Sequence, residues 1–230
     1  MTIRAGGLAP IKGVIFDFHA TLVDSGEPSG WIEAAWGRLG RSLDAPSTLG
    51  AQEFEALREH LDRIWEHAHA LDPESGRDLD LMRHRDVFAQ TLGLRFDDPE
   101  LIEALYAVMA AQWVAFDDTL PVLRELRARG IRIVVLSNIG MDIRAHLQDI
   151  GVADVVDGIV LSYEVGLVKP QPEIFQHALD LLGLPASQTL MVGDSWRADS
   201  GGAALGIRTL ILPRTAGPVH GLDAVLRLVG

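Results

Sequence analysis

Asp17 directly follows the apolar run GVIF (13–16) and is followed in turn by Phe18, His19, Ala20 and Thr21. A carboxylate at the end of a buried strand is costly unless a cation pairs with it or a reaction uses it. Two more apolar runs end in polar groups: IRIVVLSN (131–138) ends in Ser137 and Asn138, and TLMVGD (189–194) ends in Asp194, with Asp199 five residues on. Lys169 stands alone in GLVKPQP (166–172). A carboxylate serves as nucleophile, proton carrier or cation ligand, and an amine offsets the negative charge that gathers around such groups.

The elements that must bring these residues together are legible in the hydrophobic pattern. KGVIF (12–16) is a short apolar run with β-branched residues and a polar stop, the pattern of a buried strand. From about Glu27 to Phe116 the apolar spacing is helical. WIEAAWGRLG, AQEFEALREHLDRIWEHAHAL, LMRHRDVFAQTLGL and PELIEALYAVMAAQWVAF give four or five helices and no convincing strand. After Pro121 helices and strands alternate: PVLRELRARG, IRIVVLSN, MDIRAHLQDIG, GIVLS, PEIFQHALDLLG, TLMVGD, ADSGGAALG and RTLILP. Alternation with strands this apolar predicts a doubly wound parallel sheet covered on both faces, a Rossmann-like α/β core with right-handed crossovers. The helical block of about 90 residues is too long for a loop, so it reads as an insertion after the first strand. The expected division is a core of residues 1–24 and 117–230 with a helical cap domain at 25–116. Open parallel sheets bind ligands beyond the carboxyl ends of their strands, where Asp17, Ser137, Asn138 and Asp194 converge and Lys169 joins from a loop.

Composition narrows the function classes. The 230 residues are 48% hydrophobic and 23% charged, with no cysteine, which excludes disulfides and thiolate chemistry. No apolar stretch approaches the ~20 residues of a membrane span, and the opening MTIRAGGLAP lacks the apolar core of a secretory signal, so a cytoplasmic location is expected. A net charge of −12 disfavours nucleic acid and anionic membranes as partners. An anionic substrate then needs local cationic compensation from a metal ion, a lysine or an arginine.

DFHAT (17–21), LSN (136–138), Lys169 in GLVKPQPEIF and GDSWRAD (193–199) together resemble, in order and spacing, the four motifs of the haloacid dehalogenase superfamily with a helical cap after the first. The resemblance covers essentially the whole chain. It implies Asp17 as a nucleophile that forms an aspartyl-phosphate, splitting one hard displacement into two. It implies Mg²⁺ held by Asp17, the backbone carbonyl of His19 and Asp194, with Asp199 as a further ligand or outer partner. Ser137 and Asn138 would donate to phosphoryl oxygens, and Thr21 would orient the nucleophile's loop. Taken alone, Asp194 also suits a helix N-cap and Ser137–Asn138 a turn. Lys169 would neutralise Asp17 and the incoming anion. It is one of only two lysines, with Lys12, among 20 basic residues, which suggests a need for a compact point charge.

The departure from the family pattern is His19, with Ala20 in place of the usual Gly. Phosphatases of the family carry a second Asp at this position as general acid and base, and dehalogenases a neutral residue. Three readings follow: His19 exchanges the same protons, it only fills space and offers its carbonyl, or the protein is a non-catalytic relative that binds phosphate or a partner. A cation beside Mg²⁺ is repelled, which favours the neutral imidazole. A neutral ring accepts a proton and cannot give one, so acyl and aryl phosphates are the expected better substrates.

The expectation is thus a phosphomonoester hydrolase acting on a small phosphorylated metabolite, as monomer or homodimer. The rival is 2-haloacid dehalogenation, in which Asp17 displaces halide without metal and Arg38 or Arg41 binds the substrate carboxylate. Asp194 tilts against that rival, because its charge repels a carboxylate substrate. Trp31, Trp36, Trp65 and Trp113, at helical spacing, are expected in the cap's core. Trp196 is placed near the metal motif, packing against the cap or a substrate.

Overall fold

The computed structural model describes residues 8–41, 50–214 and 217–229. Residues 1–7 of the opening and 215–216 of the tail lie outside the described residues. In chain order the elements are β1 (Gly13–Phe16), β2 (Val23–Asp24), α1 (Pro28–Arg38), α2 (Ala51–Asp62), α3 (Ile64–Leu71), α4 (Leu81–Gly93), α5 (Pro99–Val108) and β3 (Val114–Ala115). They continue as α6 (Thr119–Ala128), β4 (Arg132–Ser137), α7 (Arg144–Asp149), β5 (Gly158–Leu161), α8 (Ser162–Val165) and α9 (Pro172–Leu182). The chain closes with β6 (Thr189–Gly193), α10 (Trp196–Asp199), β7 (Arg208–Ile211) and α11 (Asp223–Leu228).

Five strands form one parallel sheet in the order β5-β4-β1-β6-β7. Asp17 therefore leaves the sheet from its central strand, flanked by the ends of β4 and β6. Successive side chains of a strand face opposite ways, and both faces here are buried. Ile15, Val134, Leu136 and Met191 pack on Ile174, Phe175, Ala178 and Leu182 of α9. Val14, Phe16, Ile133, Val135, Leu190 and Val192 belong to the opposite cluster with Val122, Leu123 and Leu126 of α6. Each such fully buried side chain contributes about 1.5–3 kcal/mol relative to exposure, which is why these strands read as continuous apolar runs.

The helical insertion has its own apolar contacts. Trp31, Ile32, Trp36, Leu57, Leu61, Phe88, Leu92, Leu101 and Leu105 are buried, and Trp31 Nε1 donates to the Leu105 carbonyl at 2.8 Å. The sequence pattern ran 51–71 as one helix, but the chain breaks at Arg63, which leaves helical geometry between α2 and α3. A second difference lies at the exit. Helix α5 ends at Val108, a 3-10 turn covers Met109–Gln112, and β3 then pairs antiparallel with β2 through Val23↔Ala115 and Asp24↔Val114. Two residues per strand are too few to show a period in sequence. This ribbon binds the way in and the way out of the insertion side by side, and Thr119 Oγ1 donating to the Leu22 carbonyl at 2.7 Å reinforces it. Among the described residues no helix is long and apolar enough to cross a membrane.

Candidate active site

The carboxyl ends of β1, β4 and β6 place Asp17, Ser137 and Asp194 together, and all but Asp194 are buried. Lys169 reaches in from the loop before α9 and is itself buried. Its Nζ donates to Asp17 Oδ1 at 2.5 Å and to Asp199 Oδ1 at 2.7 Å. Thr21 Oγ1 donates to the other Asp17 oxygen, Oδ2, at 3.1 Å, so both carboxylate oxygens are oriented from within the protein. Burial alone would lower the Lys169 ammonium, but Asp17 and Asp199 reverse that and raise it, so it stays charged.

The loop that carries Lys169 is held by Asn138. Its Nδ2 donates to the Lys169 carbonyl at 3.0 Å and its Oδ1 accepts from the Lys169 amide at 2.7 Å. Asn138, which the motif resemblance gave to phosphoryl oxygens, thus spends one amide hydrogen and its carbonyl on positioning Lys169. Ser137 and Asn138 still line a cavity that they share with His19, two residues beyond Asp17.

One oxygen from each of Asp17, Asp194 and Asp199 lies within 4.8 Å of the other two. Three carboxylates against one lysine leave surplus negative charge. Burial first, then Asp17 and Asp199, push the Asp194 carboxyl up to about 7, with Lys169 opposing. Burial also raises Asp199, against the pull of Lys169. An all-oxygen acidic cluster that resists its own ionisation fits a hard divalent cation such as Mg²⁺. Asp199 is the most committed of the three, since its second oxygen accepts from the Ser195 amide at 3.0 Å while Lys169 holds the first. That approach needs Gly193, because a Cβ there would lie 2.1 Å from Asp199 Oδ2.

His19 lines the same cavity. Its Nε2 lies 3.0 Å from Ser25 Oγ, and its ring meets Trp65 and Trp113 edge-on with centroids 6.1 and 5.8 Å away. Burial, then the charge of Arg214, push its pKa down to about 4 against the opposing Asp24, so the imidazole is neutral at pH 7. Ala20 takes φ 63, the left-handed conformation that a glycine would adopt without a Cβ penalty.

The cavity of about 220 Å³ is lined by His19, Ser137, Asn138 and Ile139 from the core and by Trp65, Arg77, Asp78, His84 and Trp113 from the insertion. Trp31, Trp36 and Trp113 are buried core residues and Trp65 packs half-buried against the same cluster, while Trp65 and Trp113 also form cavity walls. Arg38 is exposed, and Arg41 pairs with Asp98 at 2.5 Å and Glu100 at 3.1 Å, so neither lines this cavity. The arginine among the described lining residues is Arg77. Trp196 is 66% exposed with Arg197 over its ring, and it is not among the residues that line the cavity. Sequence reasoning missed Arg77 and Asp78 because they sit in DPESGRDLD (72–80), a polar stretch with no period and no motif.

A family model described as haloacid dehalogenase-like hydrolase matches residues 11–206. Glyceraldehyde 3-phosphate phosphatase of Methanothermobacter thermautotrophicus is 31% identical over 201 residues, 84% of this chain and 81% of that protein. Haloacid dehalogenase-like hydrolase domain-containing protein 3 of Homo sapiens is 34% identical over 116 residues, half of this chain and 45% of that protein, so the match spans less than half of its length. Among solved structures, a HAD phosphatase from Thermococcus onnurineus superposes with a TM-score of 0.62 at 22% identity, covering 96% of this chain and 98% of that one. A dehalogenase with an intermediate complex gives 0.70 at 17% identity, covering 96% and 97%. At these identities the structural likeness speaks for the fold.

Proposed function

We propose that this chain, which belongs to the haloacid dehalogenase-like hydrolase family, hydrolyses a small phosphomonoester through an aspartyl-phosphate on Asp17. The observation that carries this reading is the buried triad of Asp17, Lys169 and Asp199, with Asp194 completing an acidic cluster within 4.8 Å. Phosphatases are among its sequence relatives, and the acidic cluster has no use in halide displacement from a carboxylate substrate.

Asp17 attacks phosphorus with one oxygen while Thr21 holds the other and Lys169 offsets the charge of the incoming anion. Ser137 and the spare Asn138 amide hydrogen face the phosphoryl oxygens. Asp17, the His19 carbonyl and Asp194 would hold Mg²⁺, with Asp199 supporting them, and the ion would neutralise charge on the phosphoryl group. His19, neutral, receives a proton from the attacking water in the second step and has none to give in the first. Residues 25–116 serve as a cap domain that sets substrate choice through Trp65, Arg77, Asp78, His84 and Trp113.

The test is a panel of phosphorylated metabolites assayed with and without Mg²⁺, alongside Asp17→Asn. Mg²⁺-dependent release of phosphate that the variant abolishes supports the reading. Turnover equal in the variant refutes it, and chloride release from a 2-haloacid in the presence of a chelator selects the dehalogenase reading instead.

A further inference from the structure

Hydrolysis of an alkyl phosphate needs a proton for the departing oxygen, and position 19, where phosphatases of the family carry a second Asp, is a histidine whose Nε2 lies 3.0 Å from Ser25 Oγ. A carboxyl group on the cavity wall is able to supply that proton. Asp78 lines the same space as His19, Ser137 and Asn138, and it is the only carboxyl group among the described lining residues.

Its position is fixed by the core. Ser162 Oγ, fully buried, donates to the Asp78 carbonyl at 2.5 Å and accepts from the Ile139 amide at 2.7 Å. Beside this contact the Arg77 carbonyl approaches Gly140 so closely that a Cβ there would lie 1.9 Å from it. The turn Gly76–Asp78 is thereby seated on residues 139–140, immediately after the Ser137–Asn138 pair.

We propose that Asp78, contributed by the helical insertion, is the general acid that protonates the leaving oxygen. This rests on the hydrolytic reading above. The charged and titratable groups around Asp78 are Arg77 and Asp72 from its own segment, His84 from α4, and His19 and Lys169 from the core. Arg77 donates to the Asp72 carbonyl at 3.0 Å through Nη1, and its Nε pairs with Asp78 Oδ1 at 3.6 Å. Burial holds the Asp78 carboxyl up at about 6, with Arg77 lowering it, Asp72 raising it and Lys169 lowering it. A carboxylic acid that keeps its proton toward neutrality suits this task.

The proton count closes. The Asp17 oxygen bonds to phosphorus as the ester P–O bond breaks. The departing oxygen keeps that electron pair and takes the Asp78 proton, leaving as a neutral alcohol. Water then bonds to phosphorus, the acyl bond breaks back onto Asp17, and the water's proton, received by His19, restores Asp78.

The test compares p-nitrophenyl phosphate, whose leaving group needs no proton, with a simple alkyl phosphate. Both substrates are measured on the same preparations of wild type and Asp78→Asn. The expected result is a selective loss, with the alkyl ester slowed at least about a hundredfold more than the aryl ester. The decline of wild-type kcat above pH 6 on the alkyl ester should also disappear in the variant. Because the ratio is internal to each preparation, partial unfolding does not affect it. Equal slowing of both esters, or of neither, overturns the role of Asp78 while leaving hydrolysis standing. A wild type inactive on both, or activity that survives Asp17→Asn, overturns the hydrolytic reading and this proposal with it.

Discussion

Lys169 Nζ lies 2.5 Å from Asp17 Oδ1, and both residues are buried, 5% and 6% exposed. The same amine holds Asp199, so one cation serves two buried carboxylates. Lys169→Met would strand both. Removing one partner of a buried pair costs about 3–5 kcal/mol, and the reaction also loses the charge facing the phosphoryl group, worth about a hundredfold or more. Thermal unfolding should show a clearly lowered Tm, and steady-state kinetics a kcat reduced even at saturating Mg²⁺. An unchanged Tm and kcat would show that the pair is not the electrostatic centre of the site.

Gly140 is a second pressure point. A methyl group there would collide with the Arg77 carbonyl at 1.9 Å and with His84 Cβ at 2.7 Å. Gly140→Ala should displace the Gly76–Asp78 turn from the cavity while leaving Asp17 and Lys169 in place. A shift of about 1 Å in a positioning element costs up to about a hundredfold, so kcat/KM should fall steeply with little change in Mg²⁺ affinity. Unaltered kcat/KM would mean that the insertion takes no part in the chemistry.

The pH dependence of Mg²⁺ binding follows from Asp194. Its carboxyl is raised to about 7 in the folded protein, so below that pH it carries a proton that the cation must displace. In the metal-free protein this raised pKa favours the fold at low pH, and that contribution is lost as pH rises from about 4 toward 7. Added Mg²⁺ should therefore raise Tm more at pH 8 than at pH 5.5, with affinity falling by up to about tenfold per pH unit below 7. Calorimetric titration across that range checks it, and a flat affinity would contradict the assignment of Asp194.

The core and most of the charged site were open to sequence reasoning because burial on both faces forces strands into apolar runs, and Asp17, Ser137 and Asp194 each stand where such a run stops. Lys169 stood out by scarcity. What stayed hidden depends on contacts between distant segments. Asn138 clamps Lys169 across 31 residues, and Ser162 seats Asp78 across 84. Neither pairing leaves a periodic mark. Trp65 and Trp113 share helical spacing with Trp31 and Trp36, yet the first two face a cavity that exists only once the insertion meets the sheet edge. The break at Arg63 and the two-residue strand at 114–115 are likewise set by packing.

The central claim is that an Asp17 oxygen becomes bonded to phosphorus. Rapid acid quenching during turnover of a phosphomonoester, followed by mass spectrometry of the peptide containing residues 13–26, tests it directly. Phosphate carried by Asp17, absent in Asp17→Asn and accumulating with substrate, is the result the account predicts. A turning-over enzyme whose Asp17 peptide never gains a phosphoryl group would contradict it.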